Sequence, residues 1–207
     1  MKNPTSFYSE GTTEQIARDM LGMLLIYDSN KGKMGGLIVE TEAYLGQQDS
    51  AAHAFKGRRS PSIEPLYGPP GTVYIFSTHG GYCLNVATQA KDIPQGILIR
   101  GIQPTIGINL MKENRKKTGP ELTNGPAKLM QAFGISDKKM NFEIFGQSKL
   151  DIVQQTGKRP KKIIETKRVG VSKEGDWAGK PFRYYVSGNP YVSGIRKRDI
   201  QDDGGWI

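Results

Sequence analysis

The stretch Val39-Glu40-Thr41-Glu42-Ala43-Tyr44 holds the most suggestive chemistry in the chain. In an extended strand alternate side chains share a face, so Glu40, Glu42 and Tyr44 project together. Two carboxylates beside an aromatic ring can supply a general base next to a stacking surface. The same alternation describes the solvated face of an edge strand, and from this stretch alone that plainer reading is the stronger. The two histidines, His53 and His79, are too few for a histidine-rich metal site, although Asp49 and His53 stand one helical turn apart. A Ser-centred nucleophile elbow, a phosphate-binding loop and a paired-cysteine motif are all missing, so neither metal nor cofactor is expected. Lys128 follows Asn124-Gly125-Pro126 in the first turn of an expected helix. There it could reach a phosphate or simply face solvent.

These groups need a scaffold, and 207 residues suffice for one domain with a full core. Lys and Arg number 29 against 20 Asp and Glu, a formal net charge of +9 that suits nucleic acid or an acidic membrane face. Cys83 is the sole cysteine, which excludes a disulfide framework and a thiolate metal cage. The first ten residues are polar and no apolar run reaches membrane-spanning length. A soluble cytoplasmic protein with no membrane partner is expected, at the nucleoid in a bacterium or nuclear in a eukaryote.

Thr12 and Gln15 form a capping box for a helix that buries Ile16, Met20 and Leu21. Strands are expected over Met23 to Tyr27, Gly36 to Tyr44, Val73 to Phe76 and Tyr82 to Ala87. The last two join through Ser77-Thr78-His79-Gly80-Gly81 as a glycine-tipped hairpin. A short strand, Ile97 to Ile99, ends at Arg100. Helices follow around Ile106 to Met111 and, capped by Asn124, through Leu129, Met130 and Phe133. Strands return over Ile163 to Val171 and around Phe182, Tyr184 and Val186, with Gly175-Asp176-Trp177 as a turn. Short strands without regular βαβ alternation predict one α+β domain. It should have a largely antiparallel sheet, a protruding hairpin and short flanking helices. Residues 7–193 would form its body and 194–207 a loose tail.

Ile38-Val39-Glu40-Thr41-Glu42-Ala43-Tyr44-Leu45-Gly46, with Asp49 and Ala51-Ala52-His53, resembles the alkyladenine (3-methyladenine) DNA glycosylase family. Further blocks agree in the same order: Pro70 to Tyr74, Cys83 to Val86, Leu98 to Arg100, Asn124 to Leu129, Arg168 to Val171, and Gly175 through Tyr184 to Val186. The likeness runs from Phe7 to Ser193, and the shared order and spacing of the blocks make it specific.

The resemblance implies a base-excision-repair enzyme that flips a damaged purine from duplex DNA and hydrolyses its N-glycosidic bond. Glu42 would activate the water that attacks the sugar C1′, held with help from Arg100 and the main chain of Val169. A carboxylate suits this role, because it can both take a proton and stabilise an oxocarbenium-like state. Tyr44, His53 and Phe76 would stack on the flipped base, Phe76 standing where the family usually has tyrosine. Asn85 would clash with the exocyclic amino group of normal guanine. No lysine stands beside Glu42 as a nucleophile, so a monofunctional enzyme leaving an uncut abasic site is implied; a monomer is expected. Arg58, Arg59, Lys128 and the basic runs Lys112 to Lys117 and Lys158 to Lys162 would meet phosphates. Each could equally be a solvated face.

The departure is at the hairpin tip, which is one residue shorter than usual. His79 is the first candidate for the wedge that fills the vacated stack and Thr78 the second. A catalytically silent nucleic-acid-binding domain would keep only the fold and the basic face, and the intact set of Glu42, Tyr44, His53, Asn85 and Arg100 argues against it. An RNA-binding accessory domain would need only the charge and the rings, and a preference for duplex DNA over RNA would separate it.

Overall fold

Thr12 opens the first helix as the sequence predicts. Its hydroxyl accepts from the Gln15 N–H at 3.3 Å, and the Gln15 side chain accepts from the Thr12 N–H at 2.9 Å. Two donors that a helix start leaves free are thereby satisfied. Helix α1 (Thr13–Asp19) buries Ile16 and Ala17, and Met20 and Leu21 extend its apolar face just beyond. The structure is a computed structural model that describes residues 5–153, 158–171 and 175–207. Residues 1–4 of the polar N-terminal stretch lie outside these.

Among the described residues eight strands form one sheet: β1 (Leu24–Ser29), β2 (Gly32–Tyr44), β3 (Val73–Thr78), β4 (Gly81–Thr88), β5 (Gln95–Ile106), β6 (Leu150–Val153), β7 (Ile163–Thr166) and β8 (Arg183–Val186). The order is β3-β4-β5-β2-β1-β6, with β8 also on β2 and β7 beyond β8, and these pairings are antiparallel. Helices α2 (Ile108–Arg115) and α3 (Pro126–Phe133) pack on each other, with α3 also against β4 and β5. This is the α+β domain with a hairpin that the sequence predicts.

The neighbours of β2 decide the chemistry. Strand β5 follows one edge from Gly35 to Tyr44. Strand β1 takes the other edge as far as Leu37, and β8 takes over at Glu40, Thr41 and Glu42. Residues 34–43 are therefore all buried, and the edge-strand reading of Glu40 and Glu42 is wrong. Both are 0% exposed. Gly36 makes the close approach possible, since a Cβ there would stand 2.2 Å from the Gln103 carbonyl oxygen.

Several boundaries move for physical reasons. The strand expected through Val171 stops at Thr166, because Arg168 and Val169 leave the sheet to meet groups from β2. Helix α2 starts only after Gly107, which takes φ +65°. Gly125 rather than Asn124 is the N-cap of α3, and the Asn124 side chain bonds Glu121 and Lys128 instead. The C-terminal segment is docked rather than loose. Trp206 is buried and donates from Nε1 to Gln103 at 2.7 Å, while Arg159 and Ile207 exchange two backbone hydrogen bonds.

The main core joins α1 and α3 to the sheet through residues such as Ile16, Leu37, Ile99, Leu129 and Phe133. A smaller cluster of Ile63, Leu66, Tyr67, Tyr74 and Ala87, with Phe76 against it, backs the site described next. Each such large buried side chain contributes roughly 1.5–3 kcal/mol, so the site rests on packed material. Among the described residues no helix is long and apolar enough to cross a membrane.

Candidate active site

Thr41 turns towards α1, where its hydroxyl donates to the Ala17 carbonyl at 2.8 Å. Strand alternation then aims Glu40, Glu42 and Tyr44 at the opposite face. The Glu42 carboxylate has no exposure but is fully partnered. Its Oε1 accepts from the Val169 N–H at 2.7 Å, and its Oε2 accepts from the Tyr44 hydroxyl at 2.8 Å and lies 3.2 Å from Arg100 Nη1. Burial pushes its pKa above the usual carboxylate range. Arg100, the Val169 N–H and the Tyr44 hydroxyl pull it back in part, and Glu40 pushes it up further. A carboxylate so placed is a stronger base than one in water.

Glu40, two residues away, is held differently. Its Oε1 accepts from Arg100 Nε at 2.7 Å, Arg183 Nε at 2.6 Å and the Ser193 hydroxyl at 2.7 Å. Its Oε2 accepts from the Ser193 N–H at 2.7 Å. Burial opposes its ionisation, yet the two guanidinium groups and Ser193 hold the carboxyl below its ordinary value. Glu40 is thus a committed anion and Glu42 the tunable group. Arg100 bridges the two carboxylates, so one guanidinium is ion-paired to both. Arg183 and Ser193 were not anticipated, since no local motif marks them.

A second buried pair delivers Val169. The Arg168 guanidinium meets Asp49 at 2.5 and 2.8 Å and donates to the Ala43 and Trp177 carbonyls at 3.0 Å each. It also lies 4.7 Å from the centre of the Tyr44 ring. Asp49 is therefore engaged with Arg168 and the Leu45 and Ala51 N–H groups, and does not join His53 in a ligand pair. Among the described residues no group of three or more His, Cys, Asp and Glu could hold a metal ion.

In front of this assembly is a cavity of about 360 Å³, within the range of small-molecule sites. Tyr44, His53, Tyr74, Phe76, Asn85, Leu98, Arg100 and Val169 line it. The His53 and Phe76 rings lie 4.0 Å apart at 36°, and His53 Nδ1 is 2.8 Å from the Tyr74 hydroxyl. The Tyr74 bond, invisible to local motif reading, orients the imidazole. Desolvation among the pocket walls, and then the Arg58 charge, hold His53 below its usual pKa, so the ring is neutral at neutral pH. Its outer edge remains exposed, which limits the effect. Asn85 is tied by its amide nitrogen to the Tyr74 and Cys83 carbonyls at 3.0 and 3.3 Å. Glu42 does not line the cavity, but all three of its partners do.

The predicted DNA-facing residues divide. The β3–β4 hairpin closes through His79-Gly80. Thr78 folds back onto this turn, accepting from the Gly80 N–H at 3.3 Å and donating to the Gly81 carbonyl at 3.2 Å. His79 stands exposed at the tip, with no bonded or ring partner among the described residues. Arg58 is exposed and forms no ion pair among the described residues. Arg59 instead meets Glu64 at 2.5 Å and Asp92 at 3.0 Å, and Lys128 meets Glu121 at 2.8 Å. These two are engaged with their own chain.

The methylpurine-DNA glycosylase family model matches residues 6–190. A protein of Latilactobacillus sakei is 47% identical over 99% of this chain and 97% of its own length. One of Lactobacillus helveticus is 46% identical over 99% of each, and one of Staphylococcus haemolyticus 44% over 97% and 98%. All three carry the provisional name 3-methyladenine DNA glycosylase. The matched span takes in Glu42, the aromatic cavity and both arginine pairs except Ser193, and with that coverage the chain belongs to the methylpurine-DNA glycosylase family and is a DNA glycosylase.

Proposed function

We propose that the protein flips alkylated or deaminated purines out of duplex DNA and hydrolyses their N-glycosidic bond with a water activated by Glu42. The product is free base and an abasic site in an uncut strand. The enzyme works as a monomer in the cytoplasm, at the nucleoid. The observation that carries this reading is the buried Glu42 carboxylate behind the wall of an aromatic cavity, with Tyr44, Arg100 and Val169 between base and cavity.

The chemistry follows from these positions. A purine stacked among Tyr44, His53 and Phe76 presents its sugar bond towards Glu42. The neutral His53 does not repel a purine made cationic by alkylation, and the rings attract it. As the bond breaks, positive charge grows on the sugar and the nearby carboxylate stabilises it. Glu42 then takes a proton from the attacking water, which enters by replacing one of its present contacts. Arg100 and the Val169 main chain hold that water once it is there. Asn85, fixed on its strand, blocks the exocyclic amino group of guanine. His79 fills the vacated stack, and Arg58 meets a phosphate.

Incubating the purified protein with duplex DNA carrying a methylated purine or hypoxanthine tests the reading. Free base and an alkali-labile, otherwise intact strand are expected. Binding without base release would leave only a nucleic-acid-binding domain.

A further inference from the structure

Glu40 is as buried as the base itself, is ionised, and gathers four hydrogen bonds, yet the reaction proposed above has no step for it. Its position explains why it is there. Arg100 presents two different nitrogens to two carboxylates: Nε to Glu40 at 2.7 Å and Nη1 to Glu42 at 3.2 Å. The shorter bond belongs to Glu40. Arg183, on β8, spends its own Nε on the same Glu40 oxygen and its Nη2 on the Ser193 carbonyl.

We propose that Glu40 is a positioning residue of the excision reaction: it anchors Arg100 and absorbs most of the guanidinium charge, so that Glu42 keeps the strength of a base. The proposal rests on Glu42 being that base. Among the described residues, two cations (Arg100 and Arg183) and two anions (Glu40 and Glu42) meet here. With Glu40 neutral, Arg100 and Arg183 would have a single carboxylate left to compensate them. Glu42 would then be stabilised as an inert anion, and Arg100 would be free to swing both nitrogens onto it. Other groups around Glu42 do not change the sign. Tyr44 on β2 and Cys83 on β4 are both held neutral mainly by burial, and Arg168 is compensated by Asp49.

The charge balance makes a test with two opposite signs. The readout is the pH dependence of single-turnover base excision, together with affinity for lesion-containing duplex. Excision requires ionised Glu42, so the acid limb reports its pKa. Glu40→Gln removes a negative charge that raises that pKa. The limb should move to lower pH by about one unit, and the plateau should fall roughly three- to tenfold with little change in affinity. Arg183→Gln removes a positive charge beside Glu40, and its limb should move to higher pH. A merely structural role would weaken both variants without opposite shifts.

Unmoved limbs, or limbs moving the same way, overturn the proposal. If Glu40→Gln does not fold, Arg183→Gln decides alone, an upward shift supporting the proposal and an unmoved limb overturning it. An unmodified protein that releases no base from any lesion would instead overturn the proposed function on which this role depends.

Discussion

The Tyr44 hydroxyl donates a 2.8 Å hydrogen bond to Glu42 Oε2, joining the aromatic wall of the cavity to the carboxylate behind it. One side chain therefore makes two connections, lining the cavity and donating its hydroxyl to the Glu42 carboxylate. Tyr44→Phe separates them. The lost bond lowered the Glu42 pKa, so in the variant that pKa rises further. With Glu42 as the proposed base, activity should be fully present above its pKa and lost as pH falls through it. The acid limb should thus shift to higher pH, with excision near neutrality down roughly tenfold and lesion affinity nearly unchanged. A pH profile identical to that of the parent would detach the hydroxyl from the mechanism.

Glu42→Gln keeps the shape of the side chain but cannot take a proton. Base release should fall on the order of a hundred- to ten-thousand-fold while binding to damaged duplex persists. The mechanism calls for no metal, so chelator should leave the parent rate unchanged. Parental release by Glu42→Gln would move the base elsewhere.

At the hairpin tip, His79 offers less stacking area than tyrosine in the gap left by a flipped base. Filling that gap offsets part of an unstacking cost of a few kcal/mol. His79→Tyr should preserve or improve excision. His79→Gly should slow excision of paired hypoxanthine more than of mispaired hypoxanthine. Equal parental rates for His79→Gly on both substrates would exclude His79 as the wedge. Thr78, whose hydroxyl already closes the turn, is the weaker candidate.

Asp49 and Arg168 are both wholly buried. Asp49→Asn leaves the guanidinium without its counter-charge, a change that costs about 3–5 kcal/mol. Urea denaturation should show that loss. The double variant Asp49→Leu, Arg168→Met, which removes both charges, should be less destabilised than Asp49→Asn. Additive losses would mean the pair is not coupled.

Arg58 and Arg59 are neighbours with different employment. Arg59 is engaged with Glu64 and Asp92, whereas Arg58 is exposed and has no ion pair among the described residues. Arg58→Ala should reduce the slope of log affinity against log salt for duplex DNA by about one. Arg59→Ala should leave the slope nearly unchanged. The reverse result would assign the phosphate contact to Arg59.

Local patterns carry much of this molecule in readable form. The Thr12–Gln15 cap is a contact between residues three apart, and alternation along β2 is a property of any extended chain. Both are legible because their partners lie within a few positions. The blocks around Glu42, His53, Asn85 and Arg100 were legible as a resemblance for the same reason, being contiguous. Alternation could name the face shared by Glu40 and Glu42, but not whether that face met water. Burial depended on β5 and β8 closing both edges of β2. The two glutamates, alike in type and face, differ because Arg183 and Ser193 arrive 143 and 153 residues later and bind only one of them. Arg168 reaches Asp49 across 119 residues, and Arg59 meets Asp92, 33 residues on. A carboxylate's pKa and an arginine's freedom are set by the charges and donors within a few ångströms, and folding assembles those from segments far apart in the chain.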